Sequence, residues 1–554
     1  MVQMINTHYF YPDRKSKDGF DKVLFIVKDE NGNKRCETIE KPVIEYYITK
    51  PQYWDGKLRN YIEKDKVLPI KCYAKDLYKS IITTLNDQNL TNYFWDTIKS
   101  GGYGIGKKLN RIHLDYRLHG SDVNIQDYYI SQFLKKHPAD KNNFGLTKVV
   151  YDIEVDIEKI VGFPEPEEAE APVNIMTLID MDNLNCYTLC LKYNHDTYVE
   201  TMSNLDSIKS ELEERYKKIL KGRKMNFIIE EWESEIHMIK RFYDLINIEI
   251  KPDFVLAWNG HGFDNPYLMN RIMRLGHNPE DIMCPKEFKY KRVSYRKDTF
   301  NQDPSDNGNE MNVTSYSVYL DAMNLYANLR KGMGKEESYS LDYIGEKEVG
   351  LTKDVMEEGF KTFHITDYKK FMFYNIQDTV MMMMMEEKNR DVDAIYSVAM
   401  LTETRIEKAM KKTICLRNLA SKFYREKGVY ISNNRAKIRE QTEGKIKGAF
   451  VANPNNIDNI GIELLGEKSK FLFENCIDFD LSSLYPSIIQ AFNISPETCY
   501  GRVVIEEDGN DISKEYVDDY SSKDYINFGN KWHNLPTTSD LIQKLKQQKQ
   551  LQVS

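Results

Sequence analysis

The stretch that decides the fold is residues 148–155, KVVYDIEV, in which apolar and polar side chains alternate. A period of two predicts a β-strand, in which residues two apart lie on the same face. Asp152 and Glu154 are therefore predicted to point to one side and the intervening apolar residues, such as Ile153, to the other. Two carboxylates on one face repel each other unless a cation lies between them. The strand thus indicates either a metal site or an edge strand with one hydrated face.

Asp264 is a third candidate carboxylate, at the end of a loop that follows the predicted strand Phe254–Trp258. The stretch reads AWNGHGFDNPY, and a helix is predicted to begin at Pro266 because Asn or Asp before proline is typical of helix starts. Asp264 is either a helix-entry residue or a further member of the carboxylate site. The loop by itself leaves both interpretations open.

A long helix is predicted from about Tyr368 to Asn389, and it places Tyr374 and Asp378 one turn apart on one face. Alone, such a pair is typical of a surface hydrogen bond. Taken in chain order with the strand and the loop, the three patterns supply four carboxylates. Such a set can hold two divalent cations about 4 Å apart for an in-line phosphoryl displacement, and Tyr374 would orient the attacking water. Oxygen ligands favour Mg²⁺ or Mn²⁺ over Zn²⁺, which predicts two such ions per active site.

The composition is that of an ordinary globular protein: 554 residues, 41% hydrophobic and 29% charged, with a net charge of −8. This length predicts about three or four domains. We expect no membrane segment and no secretory leader, because no apolar stretch approaches the roughly 20 residues that cross a bilayer. The eight scattered cysteines fit a reducing cytoplasm. The negative net charge excludes a protein coated in positive charge, as histones are. It does not exclude a local basic groove that binds nucleic acid.

Two further patterns are interpreted structurally. Residues 101–107, GGYGIGK, nearly form a phosphate-binding loop, but Lys108 replaces the Ser or Thr that would hold magnesium and the preceding residues predict a helix. A flexible glycine-rich loop is therefore predicted there. The five methionines at 381–385 are predicted to fill the core and surface of the long helix, and a further helical stretch is predicted at about 392–427.

With these motifs the sequence resembles the family B DNA polymerases. YDIEVDIE, AWNGHGFDNPY and YNIQD resemble the three exonuclease motifs of the family's proofreading domain, of the DEDD type with tyrosine. DFDLSSLYPSIIQAFNISPET resembles its first polymerase motif, and KGAFVANP resembles the segment that joins exonuclease to palm. SLYPSII and NISPET are most similar to the T-even bacteriophage members. The motifs follow the family order over about 148–500.

The resemblance implies site residues for the exonuclease. The implied metal ligands are Asp152, Glu154, Asp264 and Asp378. Tyr374 would act beside them, while Asn259 and Phe263 would shape the pocket for a frayed 3′ end.

The resemblance also implies half of a polymerase site. Asp480 matches the metal-binding aspartate, with the Leu481 carbonyl as a second ligand. Ser483, Leu484 and Tyr485 would line the triphosphate site, and Tyr485 would be the steric gate against a ribose 2′-hydroxyl. The alternative for Tyr485 is an ordinary core aromatic.

Polymerisation needs a second carboxylate, because one aspartate cannot clamp two cations. In the family it lies in an Asp-Thr-Asp-Ser motif after a nucleotide-binding helix, and neither follows Asp480 here. Asp391 and Asp393 precede the first polymerase motif and are predicted at a helix end, so they cannot substitute. The expectation is a split polymerase completed by a second polypeptide, or a truncated chain.

A basic and aromatic segment, residues 286–297, is a candidate DNA contact. Lys289, Lys291 and Arg292 would meet phosphates, and the interleaved rings would stack on unpaired bases. The alternative is a solvated edge strand protected by lysines. The family has a strand-separating hairpin between its second and third exonuclease motifs, so Asp298–Glu310 would be the tip of that hairpin.

The predicted fold class is α+β and multidomain, with a ribonuclease H-like exonuclease domain that has a mixed sheet and flanking helices. The predicted domains are a mixed N-terminal domain (1–147), the exonuclease domain (148–391), a helical segment that packs back on the N-terminal domain (392–445), a partial palm (446–537) and the start of a fingers helix (538–554). The predicted function is the exonuclease-bearing part of a viral replicative DNA polymerase. Alternatives are a free-standing DEDD nuclease and a non-catalytic nucleic-acid-binding subunit.

Primer-template DNA is the predicted partner, with deoxynucleoside triphosphates once the polymerase site is complete. A second polymerase polypeptide is expected, a sliding clamp and other replisome proteins are possible further partners, and the predicted location is the cytoplasm of an infected bacterium.

Overall fold

The computed structural model describes most of the first 433 residues and short segments beyond them. The described ranges are 2–11, 19–56, 61–99, 110–122, 124–139, 144–160, 162, 164–301, 303–353, 361–433 and 483–491, with four strands between 502 and 534. The chain divides into two compact units, Met1–Glu443 and Gly444–Ser554.

Small antiparallel sheets open the first unit. The strands are β1 Val2–Phe10, β2 Lys22–Asp29, β3 Lys34–Glu40, β4 Val43–Thr49, β5 Tyr61–Glu63, β6 Val67–Tyr73 and β7 Leu118–His119. The helices among them are α1 Leu77–Leu85, α2 Gln88–Lys99 and α3 Ile125–Lys136. β2 lies between β1 and β3, and β4 lies between β6 and β7. The β2–β3 hairpin turns at Asn31-Gly32, a dipeptide typical of such turns, and Gly32 has a φ of 83°.

The centre of the first unit is a mixed sheet built around the strand KVVYDIEV. The next strands are β8 Lys148–Val155, β9 Val173–Asp180, β10 Asn185–Leu191, β11 Asn226–Trp232, β12 Phe254–Ala257, β13 Val293–Arg296, β14 Glu310–Val313 and β15 Val318–Asp321. Among the described residues, six of them form one sheet in the order β11-β10-β9-β8-β12-β15. β9 is antiparallel to β8 and β10, whereas β12 is parallel to β8 and β15. β8 is therefore an interior strand.

Helices cover both faces of this sheet. They are α4 Asp196–Ser203, α5 Leu205–Lys217, α6 Glu235–Asp244, α7 Asp264–Arg274, α8 Pro279–Met283, α9 Ala322–Leu329, α10 Leu341–Val349, α11 Phe363–Thr366 and α12 Tyr368–Asn389. Tyr151 and Ile153 pack in one core cluster with side chains of α6 and α7, whereas Val150 packs in the cluster that contains α12. The predicted alternation of β8 is confirmed. α12 has the predicted bounds, and its methionines 381–383 and 385 are buried.

The start of α7 differs from the sequence prediction. The helix begins at Asp264 and not at Pro266, so Asp264 occupies the first helical position and Pro266 the third. Proline is tolerated there because the first backbone N–H groups of a helix have no intrahelical acceptor.

The predicted helix at 392–427 is interrupted. The structure has α13 Asp391–Leu401, α14 Lys412–Glu426 and a strand, β16 Val429–Ile431. α13 ends because Glu403 takes a left-handed conformation, with φ of 52°, and Thr404 N–H turns back to the Ala399 carbonyl.

Residues of α13 and of the segment after it contact the first part of the chain. The Tyr396 hydroxyl donates to the Met4 carbonyl over 2.8 Å, and the Arg405 guanidinium pairs with Asp127 at 3.2 Å. β16 adds to β5 in antiparallel register. These contacts join sequence positions that lie roughly 300 to 390 residues apart.

The described parts of the second unit are short. They are the helix α15 Leu484–Ala491 and the antiparallel pairs β17 Arg502–Ile505 with β18 Ile512–Glu515 and β19 Tyr525–Phe528 with β20 Lys531–Asn534. The predicted glycine-rich loop at 101–107, the residues Asp480 and Leu481 and the predicted fingers helix at 538–554 lie outside the described residues. In the part of the chain that is described, no helix has the length and apolar character to span a membrane.

Candidate metal centre

The interior strand β8 presents two carboxylates, Asp152 and Glu154, towards α12. The Asn375 side chain of α12 donates an Nδ2–H to Asp152 Oδ2 over 2.7 Å. Asn375 is fully buried, so this hydrogen bond fixes one oxygen of Asp152 and leaves the other for a further partner.

The helix α12 adds Tyr374 and Asp378 to the same place. Residues four apart on a helix share a face, and both side chains are buried. One carboxylate oxygen each from Asp152, Glu154 and Asp378 lies within 4.8 Å of the other two. A strand and a helix that are more than 200 residues apart in sequence thus bring three predicted carboxylates together.

Asp264, the first residue of α7, lies near this group of carboxylates. Its carboxylate is not part of the 4.8 Å group, but its charge is close enough to raise the pKa of Asp152. The backbone N–H of Ile153 on β8 donates to Asp264 and lowers the pKa of Asp264, against the larger effect of burial. The Tyr151 hydroxyl donates to Asn265 Oδ1 over 2.9 Å and so ties β8 to the start of α7. The structure therefore places Asp264 at the edge of the group.

The loop before Asp264 is tight. Asn259 has a φ of 58°, and its backbone oxygen accepts the N–H groups of Gly262 and Phe263 at 2.8 and 2.9 Å. A Cβ on Gly262 would lie 2.1 Å from Asn259 Oδ1, so a larger residue at 262 would require the Asn259 side chain to rotate away. Asn259 is exposed, and the half-buried Phe263 ring stacks on Tyr267 with centroids 5.1 Å apart. Phe263 thus directly precedes Asp264 in the chain, and Asn259 is joined to Phe263 by a hydrogen bond.

The four carboxylates have raised pKa values. Burial, and then the neighbouring negative charges, raise the pKa of Asp152 well above its ordinary value and that of Glu154 to about 8. Burial also raises the pKa of Asp264 to about 7 and that of Asp378 to about 6. Several strongly shifted pKa values within one cluster of buried carboxylates are typical of a functional site.

Lys353 is a site residue that the sequence prediction missed. Its Nζ donates to the Tyr374 hydroxyl over 2.8 Å and also contacts Asp378 Oδ2. Burial alone would lower the pKa of Lys353, but the combined effects of Asp378, Tyr374 and Asp152 outweigh burial and raise that pKa. Lys353 lies in a loop with no motif around it, so the sequence carried no signal for it. Asn375 was also missed, although it lies inside YNIQD.

The residues fit a divalent cation on two observations. Asp378 Oδ1 is buried and has no hydrogen-bond partner among the described residues, so an acceptor atom at the centre of the group lacks a donor. The donor set is made of carboxylate oxygens, which suit Mg²⁺ or Mn²⁺.

The basic segment before the hairpin differs from its prediction. β13 and β14 form an antiparallel pair, but only residues 293–296 of the basic segment 286–297 belong to a strand. Phe288 is 6% exposed and packs against Tyr316, so it cannot stack on a base. The part of the segment that could contact DNA is therefore shorter than predicted, because Phe288 packs in the core.

The three predicted phosphate contacts of this segment have different surroundings. Lys289 is exposed and lies 3.6 Å from Glu40, and Lys291 is half-buried. Arg292 turns towards β1, where it donates to the Tyr9 carbonyl over 3.2 Å and lies 4.7 Å above the Phe10 ring. Arg292 is therefore directed at β1 rather than along the hairpin.

The residues predicted for the triphosphate site lie in the second unit. Ser483, with φ of 57°, precedes α15, and Leu484 and Tyr485 are exposed in its first turn. Tyr485 is 72% exposed, which does not match a core aromatic.

Two family models match this chain. A model described as DNA polymerase family B, exonuclease domain, matches residues 85–344, and one described as DNA polymerase family B matches residues 380–547.

Curated relatives have low identity over long stretches. The DNA-directed DNA polymerase of Escherichia phage RB69 is 24% identical over 388 residues, which cover 69% of this chain and 39% of the phage protein. DNA polymerase 1 of Sulfolobus acidocaldarius is 23% identical over 561 residues, covering 90% of this chain and 56% of that protein. The DNA-directed DNA polymerase of Enterobacteria phage T4 is 24% identical over 355 residues, covering 63% and 36%. The chain therefore spans 36% to 56% of the length of these relatives.

Proposed function

The chain belongs to DNA polymerase family B, and we propose that it is the exonuclease-bearing part of a replicative polymerase of the T-even bacteriophage type. The observation that carries the proposal is the convergence of Asp152, Glu154 and Asp378, with Asp264 at the edge of the group. The proposed activity is removal of nucleotides from a 3′ end of DNA. The proposed location is the cytoplasm of an infected bacterium.

Residues 148–391 form the proposed exonuclease domain, with a ribonuclease H-like fold. The mixed sheet supports this, because β8 lies in its interior and carries carboxylates on the face that α12 covers. The other proposed domain limits are those predicted from the sequence. The contacts of Tyr396 and Arg405 with the beginning of the chain support the proposed return of residues 392–445.

Asp152, Glu154, Asp264 and Asp378 would hold two Mg²⁺ or Mn²⁺ ions. When bound, such ions supply a nucleophile at neutral pH and stabilise the charge that develops on the phosphoryl group. Burial and the charge of Asp378 raise the pKa of the Tyr374 hydroxyl, so it stays protonated and can donate to an attacking water. Lys353 holds the Tyr374 hydroxyl in place, and Asn375 holds Asp152.

Asn259 and Phe263 would receive the frayed 3′ nucleotide beside Asp264. The β13–β14 hairpin, with its predicted tip Asp298–Glu310, would separate primer from template. Phe300 in that tip is 91% exposed, which suits a side chain that contacts bases. Lys289 and Lys291 would contact phosphates at the approach to the hairpin.

Polymerisation would use Asp480 and Leu481 as metal ligands and Ser483, Leu484 and Tyr485 as contacts of the deoxynucleoside triphosphate. No Asp-Thr-Asp-Ser motif occurs in the 554 residues, so the second palm carboxylate would come from a second polypeptide or, if this sequence is part of a longer chain, from the rest of that chain. Primer-template DNA is the proposed substrate, and a sliding clamp is a further proposed partner.

A single assay tests this assignment. The purified chain is incubated with Mg²⁺ and a primer-template labelled at the 5′ end of the primer, with and without deoxynucleotides. We expect the primer to shorten in both conditions and never to lengthen, because only the exonuclease carboxylates are complete. A primer that keeps its full length would contradict the proposed nuclease activity. A primer that lengthens would contradict the need for a second polypeptide.

The two alternative functions, a non-catalytic binding subunit and a free-standing nuclease, predict different results in the same assay. A non-catalytic binding subunit would retain the labelled primer without shortening it. A free-standing nuclease would shorten it, and a candidate second polypeptide carrying the missing motif would then not restore extension. Restored extension that is lost on substituting Asp480→Asn would support the split polymerase.

A further inference from the structure

Asp321 is a further buried carboxylate near the metal centre, outside the set that the sequence predicted. It is the last residue of β15 and is 1% exposed. β15 lies parallel to β12, and Ala257 at the end of β12 is paired with Asp321. Residues 258–263 follow β12 and lead directly to Asp264 at the start of α7; we name them the β12–α7 loop. Asp321 therefore lies beside the strand end from which this loop begins.

The Asp321 carboxylate joins the β12–α7 loop to the helix α9. Its Oδ2 accepts the backbone N–H of His261 over 2.9 Å, and its Oδ1 accepts that of Asn324 over 3.0 Å. The first bond belongs to the loop, and the second caps the first turn of α9. The backbone N–H groups of Asn259 and Met323 also stabilise the negative charge of the carboxylate. Each carboxylate oxygen thus serves a different segment of the chain.

A negative charge at this place is electrostatically unfavourable. In the described part of the chain, Asp321 has no ion pair with a lysine or an arginine; its bonds are to backbone N–H groups. The His261 ring does not supply a positive charge, because burial lowers the pKa of that histidine to about 4. The charge of Asp321 also raises the pKa of Asp264, so the two carboxylates repel each other. An asparagine at 321 would avoid this repulsion and the cost of burying a charge.

The number of hydrogen-bond acceptors explains why a carboxylate is present. An ionised aspartate has two acceptor oxygens, whereas asparagine has one oxygen and an NH₂ group that only donates. Asparagine caps a helix about as well as aspartate does, so capping α9 needs only one of the two oxygens. The other oxygen is the one that holds the β12–α7 loop. An NH₂ group in its place would face the His261 N–H, donor against donor.

We infer that Asp321 holds the β12–α7 loop in the position that substrate and metal require, a role that rests on the proposed exonuclease activity. Asn259 and Phe263, the proposed contacts of the 3′ nucleotide, lie in this loop, and Asp264 directly follows it. Asp321 does not belong to the 4.8 Å carboxylate group, so it acts through the loop rather than on the ion. It is a positioning residue and not a further ligand.

Hydrogen exchange followed by mass spectrometry tests the hold on the loop without any need for activity. The full 554-residue chain and Asp321→Asn are compared in EDTA. We expect the His261 amide, in peptides that cover 259–263, to exchange about tenfold faster in the variant, the loss of one hydrogen bond to a charged group. Peptides that cover α9 should keep wild-type protection, because asparagine still caps the helix. Asp367→Asn makes the same change at the N-cap of α12 and is the matched control.

Two exchange results would overturn the inference. Unchanged exchange of the loop would show that Asp321 does not hold it. An equal increase in the loop and in α9 would show that Asp321 is only a helix cap. If Asp321→Asn does not fold, Asp321→Ser takes its place, since serine is also a good N-cap and carries no charge.

Single-turnover cleavage of 5′-labelled single-stranded DNA measures the consequence for the proposed activity. We expect Asp321→Asn to lower the rate about 10- to 100-fold and to raise the Mg²⁺ concentration needed for half of the maximal rate, because Asp264 loses its support. Asp367→Asn should cut like the wild type. The loss caused by Asp321→Asn should be smaller in a Phe263→Ala background, because both changes act through one loop.

Failure of this inference is distinguishable from failure of the proposed function. A wild type without nuclease activity would refute the exonuclease, and the exchange data alone would then decide whether Asp321 holds the loop. An active wild type with a wild-type rate and Mg²⁺ requirement in Asp321→Asn would refute only the positioning role. Fully additive losses for Asp321→Asn and Phe263→Ala would also overturn it, because the two residues would then act separately.

Discussion

The Lys353 ammonium donates to the Tyr374 hydroxyl over 2.8 Å and contacts the Asp378 carboxylate on the next turn of the same helix. One cation from a loop thus connects two residues of α12 that the sequence had already paired. The connection explains how a tyrosine and an aspartate on one helix face are held in a fixed relation inside a buried site. It also makes Lys353 a positioning residue whose removal has a measurable effect.

We expect Lys353→Met to lower the rate of 3′ nucleotide removal by about 10- to 100-fold, the range typical of groups that orient ligands and general acid–base groups. The thioether keeps the volume but cannot hold the Tyr374 hydroxyl. Lys347→Met, at an exposed ion pair with Glu336, is the control and should retain full activity. The measurement is single-turnover cleavage of 5′-labelled single-stranded DNA. An unchanged rate for Lys353→Met would show that Tyr374 needs no such support.

Asp264→Ala should abolish 3′→5′ degradation and leave the fold intact. The side chain is 4% exposed, but it lies beside like charges rather than in the apolar core, so its loss removes repulsion as well as a ligand. Cleavage of single-stranded DNA with Mg²⁺ and the circular dichroism spectrum are the measurements. Asp281→Ala, at an exposed position of α8, should cut like the wild type. Equal rates for Asp264→Ala and wild type would refute its assignment as a ligand.

Charge reversal at the hairpin approach should affect only substrates that need strand separation. We expect Lys289→Glu with Lys291→Glu to slow removal of a mismatched primer end, because the phosphates of the duplex are then repelled. Degradation of single strands should change less. The control is Lys217→Glu with Lys218→Glu, which makes the same change in charge at the exposed end of α5. Wild-type rates on both substrates would show that this segment is only a solvated surface.

The metal-free protein should lose stability as the pH rises from about 4 to about 8. In the unfolded chain the site carboxylates ionise near pH 4, whereas in the folded chain the pKa values are about 6 for Asp378, about 7 for Asp264 and about 8 for Glu154. Between these limits the folded state binds more protons than the unfolded state, so the free energy of unfolding falls with rising pH.

Asp264→Asn should therefore raise the Tm in EDTA at pH 8 by the equivalent of about 4 kcal/mol and have little effect near pH 4. Mg²⁺ should raise the Tm of the wild type at pH 8 and raise that of the variant much less, because the ion binds only the folded carboxylates. Differential scanning calorimetry at the two pH values, with and without Mg²⁺, measures both effects. A variant that melts below the wild type in EDTA at pH 8 would contradict the raised pKa of Asp264.

Local periodicity was sufficient to predict the elements that carry the site. The alternation of KVVYDIEV predicted β8 and its two faces, and the bounds of α12 agree with the prediction at both Tyr368 and Asn389. These features depend on residues within one turn or one strand, where side-chain spacing alone decides which face is buried. The Asn31-Gly32 turn is predictable for the same reason, because it requires only a backbone conformation that glycine allows.

Tertiary structure decided what those elements meet. The burial of Phe288, the turn of Arg292 towards β1 and the place of Lys353 between Tyr374 and Asp378 all depend on partners distant in sequence. The pKa values of Asp152 and Glu154 depend on Asp378, more than 200 residues away, and on the burial that only packing supplies. The sequence by itself therefore determined which residue types face one another along a strand or a helix. Their proximity, charge and partners were decided by long-range packing, because no local pattern specifies the separation of residues that lie hundreds of positions apart.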